Sequence, residues 1–154
     1  REQWQRDQRQ RMDASGDVAA WKPRVERRLR LIGDMHRAGV ALLAGTDANN
    51  PYVVPGFSLH DELALLVRAG LSPFDALRSA TINPARFLGA TDRFGSIASG
   101  KIADLVLLDA NPLQDISATQ RIDAVIARGR PLSRAGLAGM LLEVERITAR
   151  APQQ

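Results

Sequence analysis

Asp47 carries the side chain of this sequence that is best placed to do chemistry. It comes soon after residues 40–44, an apolar run without any alternation of polar and apolar side chains. Such a run predicts a strand buried on both faces, as parallel strands are. Catalytic groups of α/β barrels and open α/β sheets lie at the carboxyl ends of these strands. A carboxylate there is suited to catalysis, although Asp is also common where a turn begins, and the segment alone leaves both interpretations open.

Four polar side chains near Asp47 are candidates for contact with a substrate. Thr46, Asn49 and Asn50 flank it, in or beside a loop that is longer than most connections between a strand and a helix. His60 lies in the first turn of the helix that is predicted after this loop. The alternative is turn formation for the first three residues and a structural or surface role for the histidine.

The remaining chemically capable residues are less well placed. His36 is on an apolar helix stripe before the predicted strand, and therefore at the end of the strand where catalysis is not expected. Tyr52 lies in the loop after Asp47, where it contacts substrate or packs. Lys101 and Asp104 are predicted to be structural. The sequence has no cysteine, which excludes disulfides and thiolate metal sites.

The elements before Asp47 form a helix and then a strand. A helix is predicted from Pro23, because Val25, Leu29 and Ile32 recur at helical spacing, and Gly39 is suited to end it. A helix, a short turn and a buried strand in this order indicate one step of a parallel α/β sheet.

Three helices are predicted after the loop. Ser58, Ser72 and Asn83 are suited to begin them, because Ser and Asn accept hydrogen bonds from the free amides of a helix amino terminus. Gly70 and Gly89 are suited to end the first and the third. Strands are then predicted at residues 102–109 and 122–127, followed by a last helix over residues 134–150.

The composition is that of an ordinary soluble domain: 154 residues, 45% hydrophobic and 25% charged. The net charge of +4 arises in residues 1–37, which hold ten basic and six acidic side chains. These charges alternate along helix-like segments, which favours a solvated face, and neither nucleic acid nor membrane is expected as a partner.

Three blocks of sequence resemble the carboxyl-terminal third of amidohydrolase-superfamily enzymes, in the imidazolonepropionase-like branch that includes Xaa-Pro and Xaa-Arg dipeptidases. The first block covers residues 37–47 and ends in AGTD. The second covers residues 56–85 and begins with GFSLHDEL, and the third is GSIASGKIADLVLLDANPL at residues 95–113. Their order and approximate spacing match those of the family.

The resemblance implies an α/β fold, namely the carboxyl-terminal part of a (β/α)8 metal-dependent hydrolase barrel with part of a small β-sandwich domain. Residues 1–94 would then hold the last barrel strand and the closing helices. Residues 95–131 would form the sandwich segment, and residues 132–154 a carboxyl-terminal helix.

The resemblance also implies a reaction. Asp47 matches the aspartate that contacts the active-site metal and accepts a proton from metal-bound water. The cofactor would be a divalent metal, with zinc as first choice and one or two ions in the complete enzyme. The substrate would be a small amide, a peptide or a cyclic imide, with prolidase-like dipeptide hydrolysis ahead of an imidazolonepropionase-like reaction.

The family's other metal ligands are not found in this sequence. The family requires a His-x-His pair and two further histidines, whereas this chain has His36 and His60 and no His-x-His. Catalytic zinc usually takes three protein ligands. The chain, which begins with Arg1, is therefore expected to be a fragment, a processed product or an expression product, and to be inactive alone.

The rival hypothesis is a truncated, non-catalytic module that acts only in folding or protein association. Exposed sheet edges and apolar helix faces of a partial barrel would favour such association. Assembly into homo-oligomers and the cellular compartment both remain open.

Overall fold

The structure is a computed structural model that describes residues 18–150 except residues 49, 51 and 52. Its elements in chain order are helix α1 (Val18–Arg37), helix α2 (Phe57–Arg68), helix α3 (Pro73–Ser79), helix α4 (Ile82–Phe87), strand β1 (Leu105–Leu108), a 3₁₀ helix (Ile116–Gln120), strand β2 (Ile122–Ala127), strand β3 (Arg130–Ser133) and helix α5 (Arg134–Arg150). No helix in the described part of the chain is long and apolar enough to cross a membrane.

The core lies where helices α1, α2 and α3 meet the 3₁₀ helix. On α2, Leu63 and Leu66 are three residues apart and therefore share one face, which is buried here. The 3₁₀ helix contributes Ile116. Together the buried members are Leu29, Leu63, Leu66, Ala69, Leu71, Ala76 and Ile116. The amphipathic stripes predicted on α1 and α2 thus face each other.

The helix starts agree with the prediction at one of three positions. Ser72 begins α3 as predicted, since its Oγ accepts the amide of Asp75 at 3.1 Å. The prediction for Ser58 was wrong, because α2 already begins at Phe57, after Gly56 with its φ of +83°. The hydroxyl of Ser58 instead accepts the amide of Val54, upstream of the helix.

Two further helix boundaries also differ from the prediction. Helix α4 begins at Ile82, so Asn83 lies inside its first turn and uses its side chain elsewhere. Helix α1 includes Val18, so Pro23 is inside the helix rather than at its start. At the carboxyl ends, Gly70 and Gly89 adopt positive φ angles, as their predicted roles require.

The strand predicted over residues 40–44 is absent, and the whole segment 40–47 has irregular backbone. It has no helix or strand assignment before the isolated bridge at Ala48, and the amide of Ala44 donates to the carbonyl of Ser79 at 2.9 Å. A strand exists only where a neighbouring strand accepts its backbone hydrogen bonds. No strand lies beside this segment in the described residues, and helix groups satisfy part of its backbone instead.

The sheet is antiparallel, with strand order β1-β2-β3. Arg128 and Gly129 both have positive φ in the two-residue turn between β2 and β3, which suits the twist of a hairpin. The strands predicted at residues 102–109 and 122–127 are confirmed, the first being shorter than predicted. Strand β3 was not predicted. It contains Pro131 and lies at the edge of the sheet, where proline is tolerated.

Helix α5 is confirmed and leaves its apolar side chains exposed. Its first residue, Arg134, pairs with Asp109 and lies 3.7 Å from Asp123, which ties the helix to the sheet. Five of its large apolar side chains are exposed, namely Met140, Leu141, Leu142, Val144 and Ile147. The predicted division at residues 94/95 and 131/132 stays a prediction.

Candidate functional site

Asp47 is exposed and has a backbone conformation that is uncommon for residues other than glycine. Its φ is +51°, in the left-handed region that Asp tolerates better than most residues. Such backbone positions are concentrated at functional sites. Asn50 holds the carboxylate, since its Nδ2 donates to Oδ2 at 2.5 Å, and its amide donates to the Asp47 carbonyl at 3.2 Å. Within the described part of the chain no donor reaches Oδ1, which therefore remains able to accept a proton or bind a cation.

Helices α2, α3 and α4 hold the segment that leads to Asp47. The hydrogen bonds join the Ala44 amide to the Ser79 carbonyl (2.9 Å), the Leu42 carbonyl to Nδ2 of Asn83 (3.0 Å), and the Gly45 amide to Oε1 of Glu62 (2.9 Å). Ser79 is completely buried, so this anchor lies in the interior. The path of the backbone into Asp47 is therefore set by side chains and carbonyls far from it in sequence.

The predicted substrate-binding residues do not all gather around Asp47. Asn50 contacts it directly, and Thr46 precedes it with its side chain half-buried. His60 is directed elsewhere, since its Nδ1 lies 3.1 Å from Oγ1 of Thr119. Asn49, like Tyr52, lies outside the described residues.

The hydrogen bonds around His60 assign a proton to its Nδ1. Oγ1 of Thr119 lies 2.9 Å from the carbonyl of Ile116, to which it can only donate its single proton. With the hydroxyl proton assigned in this way, Oγ1 accepts from Nδ1 of His60. The ring borders an apolar groove of about 730 Å³ between the start of α2 and helix α5. Asp47 does not line this groove.

The other candidate side chains have structural partners. Nε2 of His36 lies 3.7 Å from Oδ2 of Asp75, which links α1 to α3. Asp104 accepts the amide of Arg128 at 2.6 Å and so supports the turn between β2 and β3. Lys101 donates to Oγ of Ser96 at 2.6 Å. These contacts agree with the structural roles predicted for Lys101 and Asp104.

A complete metal site is not present in the described residues. No three His, Cys, Asp or Glu side chains among them come together in a way that could hold a metal ion. A catalytic zinc ion requires three protein ligands as a rule. Asp47 can supply one ligand, so the described residues do not fit a whole metal centre.

Glu62 and Asn83 bond to the segment that leads to Asp47, and the sequence did not single them out for this. Glu62 stands in the GFSLHDEL block, where its position on an amphipathic helix is typical of a solvated acid. Asn83 was interpreted as a helix cap because Pro84 follows it. Their contacts with Gly45 and Leu42 depend on tertiary packing, which no local pattern reports.

Comparison with known proteins supports the resemblance described for the sequence. The model of the amidohydrolase family matches residues 10–132. An imidazolonepropionase from Deinococcus deserti is 40% identical over 111 residues, which cover 69% of this chain and 27% of that protein. An ochratoxinase from Aspergillus niger is 32% identical over 108 residues, which cover 64% of this chain and 22% of that protein.

Solved structures give the same result. A Xaa-Pro dipeptidase with bound methionine in its active site matches with a TM-score of 0.62 and 33% identity, over 68% of this chain and 25% of that one. A putative prolidase from Bifidobacterium longum matches with a TM-score of 0.61 and 39% identity, over 74% of this chain and 30% of that one. A bottromycin amidohydrolase matches with a TM-score of 0.69 and 34% identity, over 89% and 30%. The chain thus spans between a fifth and a third of the length of these relatives.

Proposed function

The chain belongs to the amidohydrolase family, and from this premise we propose that it is the carboxyl-terminal portion of a metal-dependent enzyme that hydrolyses carbon–nitrogen bonds. The observation that carries the proposal is the geometry of Asp47. Its left-handed backbone and its Asn50 contact at Oδ2 orient an exposed carboxylate, whose Oδ1 accepts no hydrogen bond from the residues that the structure describes. This carboxylate ends a segment anchored by three helices.

In the complete protein, residues 40–46 would serve as the last strand of a (β/α)8 barrel. The segment has the apolar composition of such a strand, and it lacks a neighbouring strand among the residues that the structure describes. Helices α2–α4 would close the barrel, and strands β1–β3 would contribute to a β-sandwich. Residues outside this sequence would provide the neighbouring strands.

The role we propose for Asp47 is that of a proton acceptor with one oxygen available for a cation. A divalent metal, with zinc as our first choice, would polarise the substrate carbonyl and acidify bound water. This chain offers Asp47 as one ligand and no complete set in its described part, so the other ligands would come from the rest of the enzyme. Asn50 would orient the carboxylate rather than contact substrate.

We favour a dipeptide substrate over a cyclic amide. The similarity to a Xaa-Pro dipeptidase and to a putative prolidase supports the dipeptide, while the similarity to imidazolonepropionases supports the cyclic amide as second choice. Thr46 and Asn49 remain candidates for substrate contact because they lie within two positions of Asp47 in the sequence. His60 is a weaker candidate, because its ring faces the groove beside α5.

Substitution of Asp47 tests the proposal in the complete, metal-loaded protein. For Asp47→Asn we expect kcat to fall by about 10²- to 10⁴-fold on Xaa-Pro dipeptides or on a cyclic amide, because the amide cannot take up the proton. Asp34→Asn is the matched control, since Asp34 is an exposed aspartate of α1 that pairs with Arg37. Unchanged kcat in Asp47→Asn, or an equal loss in the control, would refute the assignment.

The isolated 154-residue chain is expected to be inactive. One candidate ligand cannot hold a catalytic metal. With added Zn²⁺, the chain should therefore hydrolyse a panel of dipeptides no faster than Zn²⁺ does without the protein. Mass spectrometry of the reaction products provides the measurement. Turnover at rates typical of enzymes, about 1–10³ s⁻¹, would contradict the incomplete site.

A second candidate function is a non-catalytic module that acts through association. The observation in its favour is the apolar surface of β1 and α5, including Val106, Leu107 and Leu142. If the complete protein that carries this chain hydrolyses no amide while the chain forms stable oligomers in sedimentation experiments, this candidate replaces the enzyme.

A further inference from the structure

We infer that Glu62 is a positioning residue for Asp47, acting through the backbone of Gly45. The inference rests on the proposed function, because it concerns the carboxylate that would do the chemistry. The amide of Gly45 donates to Oε1 of Glu62 at 2.9 Å, across 17 positions of sequence. A hydrogen bond to an ionised carboxylate is about twice as strong as one between neutral groups.

Glu62 is held rigidly by the helix that carries it. The next residue, Leu63, is 4% exposed, and Leu66 one turn later is buried in the same core. These contacts fix the rotation of α2 about its axis, so the backbone of Glu62 has little freedom. The half-buried side chain of Glu62 therefore extends from a fixed backbone position to the Gly45 amide.

The hydrogen bond between Glu62 and the Gly45 amide is the last one that helices α2–α4 make with the backbone before Asp47. The preceding hydrogen bond joins the Ala44 amide to the Ser79 carbonyl. This bond alone would leave the peptide planes after Ala44 able to rotate. Glu62 fixes the next amide, that of Gly45, whose residue has no side chain to restrict its own backbone. Asp47 follows two residues later with its φ of +51°.

Removal of this acceptor should therefore displace the Asp47 carboxylate while leaving the substrate pocket otherwise intact. In the complete enzyme we expect Glu62→Ala to lower kcat by about 10- to 100-fold with KM changed by less than about twofold, because a shift near 1 Å is costly for a reacting group. Glu62→Gln should recover most of the loss, because its Oε1 can still accept the Gly45 amide.

Glu26→Ala is the matched control. Glu26 is also a helical glutamate, and it pairs with Arg68 on the exposed side of α1 and α2. Its removal should leave kcat and KM within about twofold of the wild type. Equal kcat losses in Glu62→Ala and Glu62→Gln, or a loss confined to KM, would overturn the inference.

Hydrogen exchange in the 154-residue chain provides a readout that does not depend on activity. In Glu62→Ala the Gly45 amide should exchange about tenfold faster, while the Ala44 amide on Ser79 should keep its rate. Unchanged exchange at Gly45 would overturn the inference even if the enzyme is active. A complete protein that is active but insensitive to Glu62→Ala would refute only this inference, whereas an inactive wild-type protein would refute the proposed function together with it.

Discussion

The helical region and the sheet region of this molecule differ in how they bury their apolar side chains. The helical region, which comprises α1–α4 and the 3₁₀ helix, surrounds a shared core of seven buried residues. In the sheet region, which comprises β1–β3 and α5, none of the described side chains is buried. The first region therefore supplies its own packing, whereas the second leaves its apolar side chains half-buried or exposed.

Strand β1 shows this difference most directly. Val106 is 55% exposed and its neighbour Leu107 is 49% exposed. Adjacent residues of a strand point to opposite faces, so both faces of β1 are open to solvent. Helix α5 contacts β2 and β3, yet five of its large apolar side chains stay more than half exposed, three of them (Met140, Leu141 and Val144) along the groove beside α2. In the proposed complete enzyme, the rest of the protein would cover these faces.

The largest expected difference between the regions comes from truncation of one leucine in each. Leu63→Ala should lower the free energy of unfolding by about 2–5 kcal/mol, because it leaves a cavity in the helical core. Leu107→Ala should change it by about 0.5 kcal/mol or less, because that side chain is already half in water. Urea titration followed by circular dichroism measures both values. Equal effects would show that the sheet region has a core of its own.

A smaller effect is expected at the junction of the two regions, where Gly95 packs on α4. A Cβ on Gly95, at a φ of +90°, would lie 2.6 Å from Cβ of Ala85 and 3.1 Å from Cα of Ile82. Gly95→Ala should therefore cost about 2–4 kcal/mol, the sum of left-handed strain and overpacking.

Gly100→Ala is the control for this substitution. Gly100 has a similar φ of +84°, but nothing lies within 4 Å of its added Cβ. Strain alone should cost about 1–2 kcal/mol there. Identical melting temperatures for the two variants would mean that Gly95 does not approach α4 as described.

The smallest expected effect is a pH dependence at the cap of the 3₁₀ helix. Hydrogen bonds from the hydroxyl and amide of Ser117 hold the pKa of Asp115 below its ordinary value. A carboxylate with a lowered folded-state pKa contributes stability above its unfolded pKa and loses it as the pH falls through the folded one. The advantage of the wild type over Asp115→Ala should therefore be present at pH 7 and shrink below about pH 4.

Glu143 gives the same test in the sheet region. Its pKa is also lowered, by a hydrogen bond from Arg146, and the pair lies on an exposed face of α5. Glu143→Ala should therefore change stability in the same direction and by less than Asp115→Ala, because Asp115 caps a backbone amide of the 3₁₀ helix, whereas an exposed ion pair contributes little. Chemical denaturation at pH 7 and pH 3 compares the two. A stability gap for Asp115→Ala that is constant with pH would exclude the proposed linkage.

Local patterns were enough for most elements and for the choice of Asp47 as a candidate site residue. The stripe on α2, the Ser72 cap and the apolar runs of β1 and β2 are all encoded within a few residues. Asp47 was found because it follows an apolar run and begins a loop. These signals concern burial and backbone preference, which neighbouring residues determine.

Contacts between distant parts of the chain could not be predicted in this way. The segment at residues 40–46 is mostly apolar, which a sequence pattern can show. The groups that hydrogen-bond to its backbone belong to α2–α4 rather than to a strand, which no such pattern shows. Likewise, the sequence predicts a substrate contact for Asn50 and no site role for Glu62. Their bonds to Asp47 and Gly45 depend on how the loop and the helix are folded.

Pro131 makes the two edges of the sheet different for the addition of a further strand. Proline has no amide proton, so the outer margin of β3 lacks one of the donors that an added chain would require. The opposite margin, along β1, contains no proline. Recruitment of a further strand, whether from the same polypeptide or from another, is therefore directed to β1, and β3 terminates the ladder.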